Sequence, residues 1–160
     1  MKSQRWFPVG SRIFLGYTIL AGGILIIPQR SLSRLKNKVR KITQRNRGVS
    51  LERIIEELNK ILPGWVRYFK LAQARTHMKD LDGWIRRKLR CYKFKQLQRS
   101  YTRYKMLVSL GVKEWQSWLV AQSGKRLWRL SSTPQLSQAM SLKWFQNQGM
   151  CNLEKEYLSL

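Results

Sequence analysis

Residues Ser50 to Arg90 read SLERIIEELNKILPGWVRYFKLAQARTHMKDLDGWIRRKLR, and their periodicity decides the fold. Ser50 suits an N-cap, where its hydroxyl accepts from a free backbone N–H of the first turn, and the acid Glu52 sits in that turn. Leu51, Ile54, Ile55, Leu58, Ile61 and Leu62 then fall within about 120° of arc at 100° per residue, which makes a core-facing helix. Pro63 disfavours the α conformation at Leu62, so that helix is expected to stop or kink there. After Gly64, a second stripe of Trp65, Tyr68, Phe69 and Ala72 repeats at helical spacing. A third helix is expected from Thr76, with Leu81, Trp84, Ile85, Leu89 and Tyr92 on its apolar side. Arg86, Arg87, Arg90 and Lys93 lie opposite, within about 120° of one another, and are expected to face solvent. Charge of one sign on an ordered surface suits a polyanion.

Upstream, residues 30–47 (RSLSRLKNKVRKITQRNR) form a basic helix in this reading, ending at Gly48 as its C′ residue. Leu32, Leu35, Val39 and Ile42 make its apolar stripe, and Arg34, Lys38, Lys41 and Arg45 share the far side. No acid occurs between Lys2 and Leu51. These four cations therefore have no local partners, and phosphate contact explains them better than solubility alone.

The N-terminal region differs. Arg12 to Ile19 (RIFLGYTI) and Ile24 to Pro28 (ILIIP) flank Leu20-Ala21-Gly22-Gly23, and two apolar runs around a Gly-Gly turn predict a short β-hairpin. The uncharged run from Ile13 to Ile27 is shorter than the eighteen or so residues of a membrane span and contains glycines. A signal peptide headed by Lys2 and Arg5 lacks a small-x-small cleavage site before Pro28.

Downstream, Arg99, Arg103 and Lys105 alternate with Tyr92, Tyr101 and Tyr104, an interleaving that suits stacking on unpaired bases, although a single tyrosine more often caps a core. Short helices are expected over 103–110, ended by Gly111, and over 113–121 with Trp115, Trp118 and Leu119 on the apolar side. Lys125 to Ser132 is an ambiguous connector. Thr133-Pro134 opens a helix expected to run to about Gln148.

The whole chain has 160 residues, 43% of them hydrophobic, and carries a net charge of +24 from 32 Lys+Arg against 8 Asp+Glu. Seven Trp and six Tyr argue against a disordered basic tail. Cys91 and Cys151 form no CxxC, and His77 is the only histidine, so neither a bridge-stapled scaffold nor a zinc site is indicated.

The residues Leu58-Asn59, Gly64-Trp65, Tyr68-Phe69, Leu81-Asp82, Trp84, Arg86-Arg87 and Leu89-Arg90 form a spaced LN…GW..YF…LD.W.RR.LR pattern. That pattern resembles the maturase-specific region of group II intron-encoded reverse transcriptases, and FLGY at Phe14 to Tyr17 resembles the strand motif that ends their palm. Trp128-Arg129-Leu130-Ser131 and Gly149-Met150 with Leu153 are a weaker echo of the family's C-terminal elements. The resemblance implies a mainly α protein, a helical thumb and maturase bundle preceded by a short β-hairpin. It implies a palm remnant over 1–28, the maturase-specific domain over 29–105 and a helical extension over 106–160. A chain beginning at the palm-end motif is expected to lack nearly all of the polymerase.

The residues expected for catalysis are missing. The family's polymerase uses a YxDD turn whose aspartates hold two metal ions, and no such turn occurs in this sequence. Asp80 and Asp82, the only aspartates, are two residues apart on an expected helix and better suit its N-terminal dipole. No Gly-rich phosphate loop is present, and the chain is expected to have no catalytic site, metal or cofactor. The expected function is to bind and stabilise folded group II intron RNA for splicing. Arg34, Lys38, Lys41 and Arg45 form one RNA-binding cluster, and Arg86, Arg87, Arg90 and Lys93 a second. Gly64, Trp65, Tyr68 and Phe69 are assigned to packing, and the other motif residues to the frame. A non-functional remnant, a fragment completing a separately encoded reverse transcriptase in trans, and a membrane-surface protein stay open as alternatives, the last disfavoured. The expected location is the cytoplasm, or the organellar matrix for an organelle-encoded chain.

Overall fold

The computed structural model describes residues 12–20 and 22–159. Lys2 and Arg5, considered above as the head of a signal peptide, lie outside the described residues. The fold is mainly α: a small antiparallel sheet followed, among the described residues, by nine helices.

The sheet has strands β1 (Arg12–Phe14), β2 (Tyr17–Ile19) and β3 (Leu25–Ile26) in that order. The expected Gly22-Gly23 turn joins β2 to β3, with both glycines at positive φ and the Leu20 N–H donating to the Ile24 carbonyl at 2.9 Å. The expectation of one strand over 12–19 is corrected. Leu15 (φ 47°) and Gly16 (φ 79°) form a two-residue turn that pairs Phe14 with Tyr17, the backbone pattern of a type I′ hairpin. Tyr68 holds this turn. Its hydroxyl donates to the Leu15 carbonyl at 2.7 Å, and a Cβ on Gly16 would stand 2.6 Å from that hydroxyl oxygen. The Tyr17 ring stacks on Tyr68 and meets Phe69 edge-on, with its hydroxyl bonded to the Tyr68 carbonyl. The Gln73 N–H donates to the Leu25 carbonyl at 2.8 Å. A sheet this small is marginal alone, and these contacts fasten it to the helices.

Helix α1 (Gln29–Ile42) buries Leu32, Leu35 and Val39. It ends five residues before the expected boundary. The Arg47 guanidinium reaches back to the Ile42 carbonyl at 2.8 Å and makes a two-point ion pair with Glu57 at 2.8 and 2.9 Å. Gly48 (φ 68°) turns the connector rather than capping the helix.

Helix α2 (Leu51–Tyr68) starts as expected, with the Ser50 hydroxyl accepting the Arg53 N–H at 3.2 Å. It does not stop at Pro63, which lies inside it. A mid-helix proline costs about 3 kcal/mol. Continuing the helix carries Val66 to full burial alongside Leu62 and delivers Phe69 to the core, and large apolar side chains contribute about 1.5–3 kcal/mol each on burial. Helix α3 (Arg75–Gln96) begins one residue before Thr76 and buries Met78, Leu81, Ile85, Leu89, Tyr92 and Phe94.

The C-terminal part folds as α4 (Ser100–Ser109), α5 (Glu114–Ala121), α6 (Leu127–Leu130), α7 (Pro134–Ala139), α8 (Leu142–Asn147) and α9 (Leu153–Leu158). The single helix expected over 134–148 is two. Met140 leaves the helical region, its carbonyl turned to the Arg90 guanidinium at 3.1 Å, and Ser141 caps α8 by accepting the Trp144 N–H. One hydrophobic core runs from Ile27 through Leu58 and Leu89 to Phe145 and Leu153.

Asn59 fastens the last segment to α2. Its amide nitrogen donates to the Gly149 carbonyl at 2.7 Å, and its amide oxygen accepts the Cys151 N–H at 3.0 Å. Asn59→Ala leaves both backbone groups without that partner. Urea unfolding should show a loss of about 1–3 kcal/mol.

Candidate nucleic-acid interface

Arg34, Lys38 and Lys41 project from α1, and Arg45 follows in the turn after it; all four are exposed. None takes part in the ion pairs of the described residues, which use Arg47, Arg53, Arg67, Arg75 and Arg86. The first expected cluster is thus an open row of unneutralised cations.

The second is placed differently from the expectation. Arg86 pairs with the buried Asp82, whose other oxygen accepts the Leu153 N–H at 3.5 Å. Burial pushes the Asp82 carboxyl above its ordinary pKa, and the Arg86 charge opposes that rise. Asp82 is therefore an internal joint two turns into α3 rather than a group at its N-terminus, while Asp80 is exposed. Arg87 donates to the Trp128 carbonyl at 2.9 Å and to the Ser131 hydroxyl at 3.3 Å, and lies 3.9 Å over the Trp128 ring. Arg90 donates to the carbonyls of Met140 (3.1 Å) and Ser131 (3.4 Å). Burial lowers its pKa, with Arg86 and Arg87 adding to the effect. Lys93 lies near Glu52, whose carboxyl is held low first by hydrogen bonds to its own backbone and to Ser50, then by the Lys93 charge. The helical wheel put these four cations opposite the primary core, but residues 127–153 cover much of that side.

Sequence reasoning missed the cations that converge from two helices. Lys36 and Arg40 of α1 and Lys88 of α3 stand 6.0, 5.6 and 5.6 Å from the Trp84 ring centre. Lys88 also lies 5.4 Å from the exposed Trp128 ring. Arg40, Thr43, Gln44, Arg45, Asn46 and Lys88 line a cleft of about 420 Å³. An adjoining one of about 230 Å³ adds Cys91 and Trp128. Burial lowers the Lys88 pKa, and Arg40 and Arg45 lower it further by repulsion. The i,i+4 pairs Lys36/Arg40 and Trp84/Lys88 are visible in the sequence; that α1 and α3 face each other there is not. Such a groove offers phosphates several cations, gathered over two indole rings.

Of the motif residues, Leu58 and Leu81 are buried, Phe69 is core, Trp65 packs against it at 4.9 Å, and Tyr68 is exposed but bonded to the sheet. Gly64 is exposed, and a Cβ there meets nothing within 4 Å, so packing does not account for that glycine. Cys91 and Cys151 are both free thiols raised by burial, Cys151 to about 11. Among the described residues no three metal-capable side chains cluster, and no helix is long and apolar enough to cross a membrane.

Residues 32–115, just over half of the chain, match the family model of the group II intron, maturase-specific domain. That span runs from α1 to the start of α5. No curated protein matches the chain.

The depressed Lys88 pKa has a readable sign. In the alkaline range below the ordinary lysine value of about 10.4, the unfolded chain holds this proton more firmly than the fold does. Lys88 therefore makes stability rise slightly with pH there. Lys88→Arg stays charged and should flatten that trend. Thermal melts of the two proteins across that range check it.

Proposed function

The chain belongs to the group II intron maturase-specific domain family, and we propose that it acts as an RNA-binding maturase module that holds folded group II intron RNA in its splicing-competent shape. The observation that carries this reading is that α1 bears cations on both flanks of its buried stripe. Arg34 and Lys38 line a groove with Trp65 and Tyr68 of α2. Lys36 and Arg40 gather with Lys88 around Trp84 of α3, and Arg45 shares their cleft. No acid is paired to any of them among the described residues. Phosphate neutralisation by such a surface releases counterions and supplies most of the affinity.

In this mechanism the protein performs no covalent step. The cations hold phosphates of RNA strands that repel one another when folded. Binding the folded RNA in preference to its unfolded forms stabilises the former by mass action. The fixed backbone of α1 and α3 sets the spacing of the phosphates that fit, which is where selectivity beyond charge arises. The RNA supplies the chemistry of splicing. The compartment is the one where the intron is spliced, cytoplasm or organellar matrix.

The test is binding to intact group II intron RNA against an unrelated structured RNA of equal length, at several salt concentrations. The intron should win by about a hundredfold, about 2.7 kcal/mol, with the margin surviving higher salt. Equal binding that decays together with salt would overturn the reading, leave charge alone at work and favour a remnant. Arg34→Ala and Lys38→Ala should each reduce the salt slope by about one and leave the melting temperature in place. Arg90→Ala should instead lower the melting temperature, because it strips hydrogen bonds from the Ser131 and Met140 carbonyls.

A further inference from the structure

Three aromatic rings on α4 and α5 cluster at a surface that shares no residue with the α1–α3 groove. Tyr104 and Trp118 stack with centroids 4.3 Å apart and planes 17° from parallel. Tyr101 lies 6.1 Å from Tyr104 and 6.4 Å from Trp118, at 25° and 37°. Tyr104 is half-buried and joins the two helices. The others are open: Tyr101 is 55%, Trp115 62%, Trp118 37% and Leu119 65% exposed. A helix pair needs one or two of these rings to seal it. Burying large apolar side chains stabilises a fold, and this protein leaves more than half of Tyr101, Trp115 and Leu119 uncovered.

The charge around the patch indicates what covers it. The Lys105 ammonium sits 4.8 Å from the Tyr101 ring centre. Arg99, Lys105 and Lys113 are exposed on the same two helices and their flanks. Glu114 is the only acid between Asp82 and Glu154. A second copy would bring the same excess of cations to the contact, since each chain carries +24, and like charges brought together oppose association. Exposed aromatic rings with cations nearby are the composition that unpaired nucleic acid uses, with bases on rings and phosphates on cations.

We propose that Tyr101, Trp115 and Trp118 form a stacking platform for an unpaired stretch of RNA, with Arg99, Lys105 and Lys113 holding its phosphates. This rests on the RNA-binding reading above and adds a second site of different preference. The α1–α3 groove takes folded RNA, and the platform takes a single strand.

The experiment uses the full chain, a labelled oligouridine of about twelve nucleotides, which has no structure of its own and covers a typical single-strand site, and the intron RNA. Tyr101→Ala and Trp115→Ala alter the two most exposed rings and should leave the fold intact by circular dichroism. Each should weaken oligouridine binding about tenfold, in line with the stacking energy of one base, while Tyr101→Phe retains it. Arg34→Ala with Lys38→Ala should weaken intron binding and spare the oligouridine. Unchanged oligouridine affinity in both alanine variants overturns the platform. So does a dimer in sedimentation of the parent chain that these variants dissociate, since the surface then covers itself. If the intron shows no advantage over control RNA while oligouridine binding still depends on Tyr101 and Trp115, the maturase reading fails and the platform stands.

Discussion

Two polar joints decide which cations of this protein reach solvent. Asn59 holds the backbone on both sides of Met150, and Asp82 receives the Leu153 N–H while pairing with Arg86. They draw the last segment across α2 and α3, and the segment's carbonyls then become ligands for Arg87 and Arg90. A half-buried arginine needs its covered donors satisfied, and the backbone at Trp128, Ser131 and Met140 does this without an acid. One side of α3 is consequently spent on holding the fold together. The basic face left free is that of α1, extended by Lys88.

The few acids reinforce this separation. Glu57 anchors Arg47 at the end of α1, Glu154 and Glu156 of α9 meet Arg75 and Arg67, and Glu56 meets Arg53. Exposed pairs of this kind contribute little energy each, and their placement matters more than their strength. They draw negative charge to the α2 and α9 surfaces and keep it away from α1. There burial lowers the Lys88 pKa, and Arg40 and Arg45 stand close enough to lower it further. The fold tolerates that repulsion at a site where a polyanion would relieve it.

Much of the frame was legible in the sequence because it follows from local rules. The Ser50 cap, the stripe from Leu51 to Leu62, the Gly22-Gly23 turn and the basic α1 all stand where periodicity and turn chemistry put them. The misreadings share a cause, which is tertiary contact. Pro63 looks like a stop, but Val66 and Phe69 are needed in the core. FLGY looks like a strand, but Tyr68, distant in sequence, folds it into a hairpin turn. The helix over 134–148 breaks at Met140, where the carbonyl meets Arg90. Helical wheels place Lys38 and Arg90 alike on the polar sides of their helices. Only the path of residues 127–153 tells them apart, and no periodicity within α1 or α3 contains it.

The residues that make the family pattern recognisable are therefore mostly joints. Asn59 and Asp82 hold the C-terminal segment, Tyr68 holds the N-terminal turn, and Arg86, Arg87 and Arg90 bind carboxylate and backbone within the chain. Each makes a directional hydrogen bond to a fixed internal partner, and such a bond tolerates little change of residue type. Cations that meet phosphates are under a looser constraint. A lysine or arginine serves at many positions on a face, provided that the face stays free of acids. A spaced motif can thus mark the frame clearly while the binding surface shows only as an excess of one charge. In this chain the frame and the proposed binding surface meet at Trp84, a residue of the motif whose ring carries Lys36, Arg40 and Lys88 above the core.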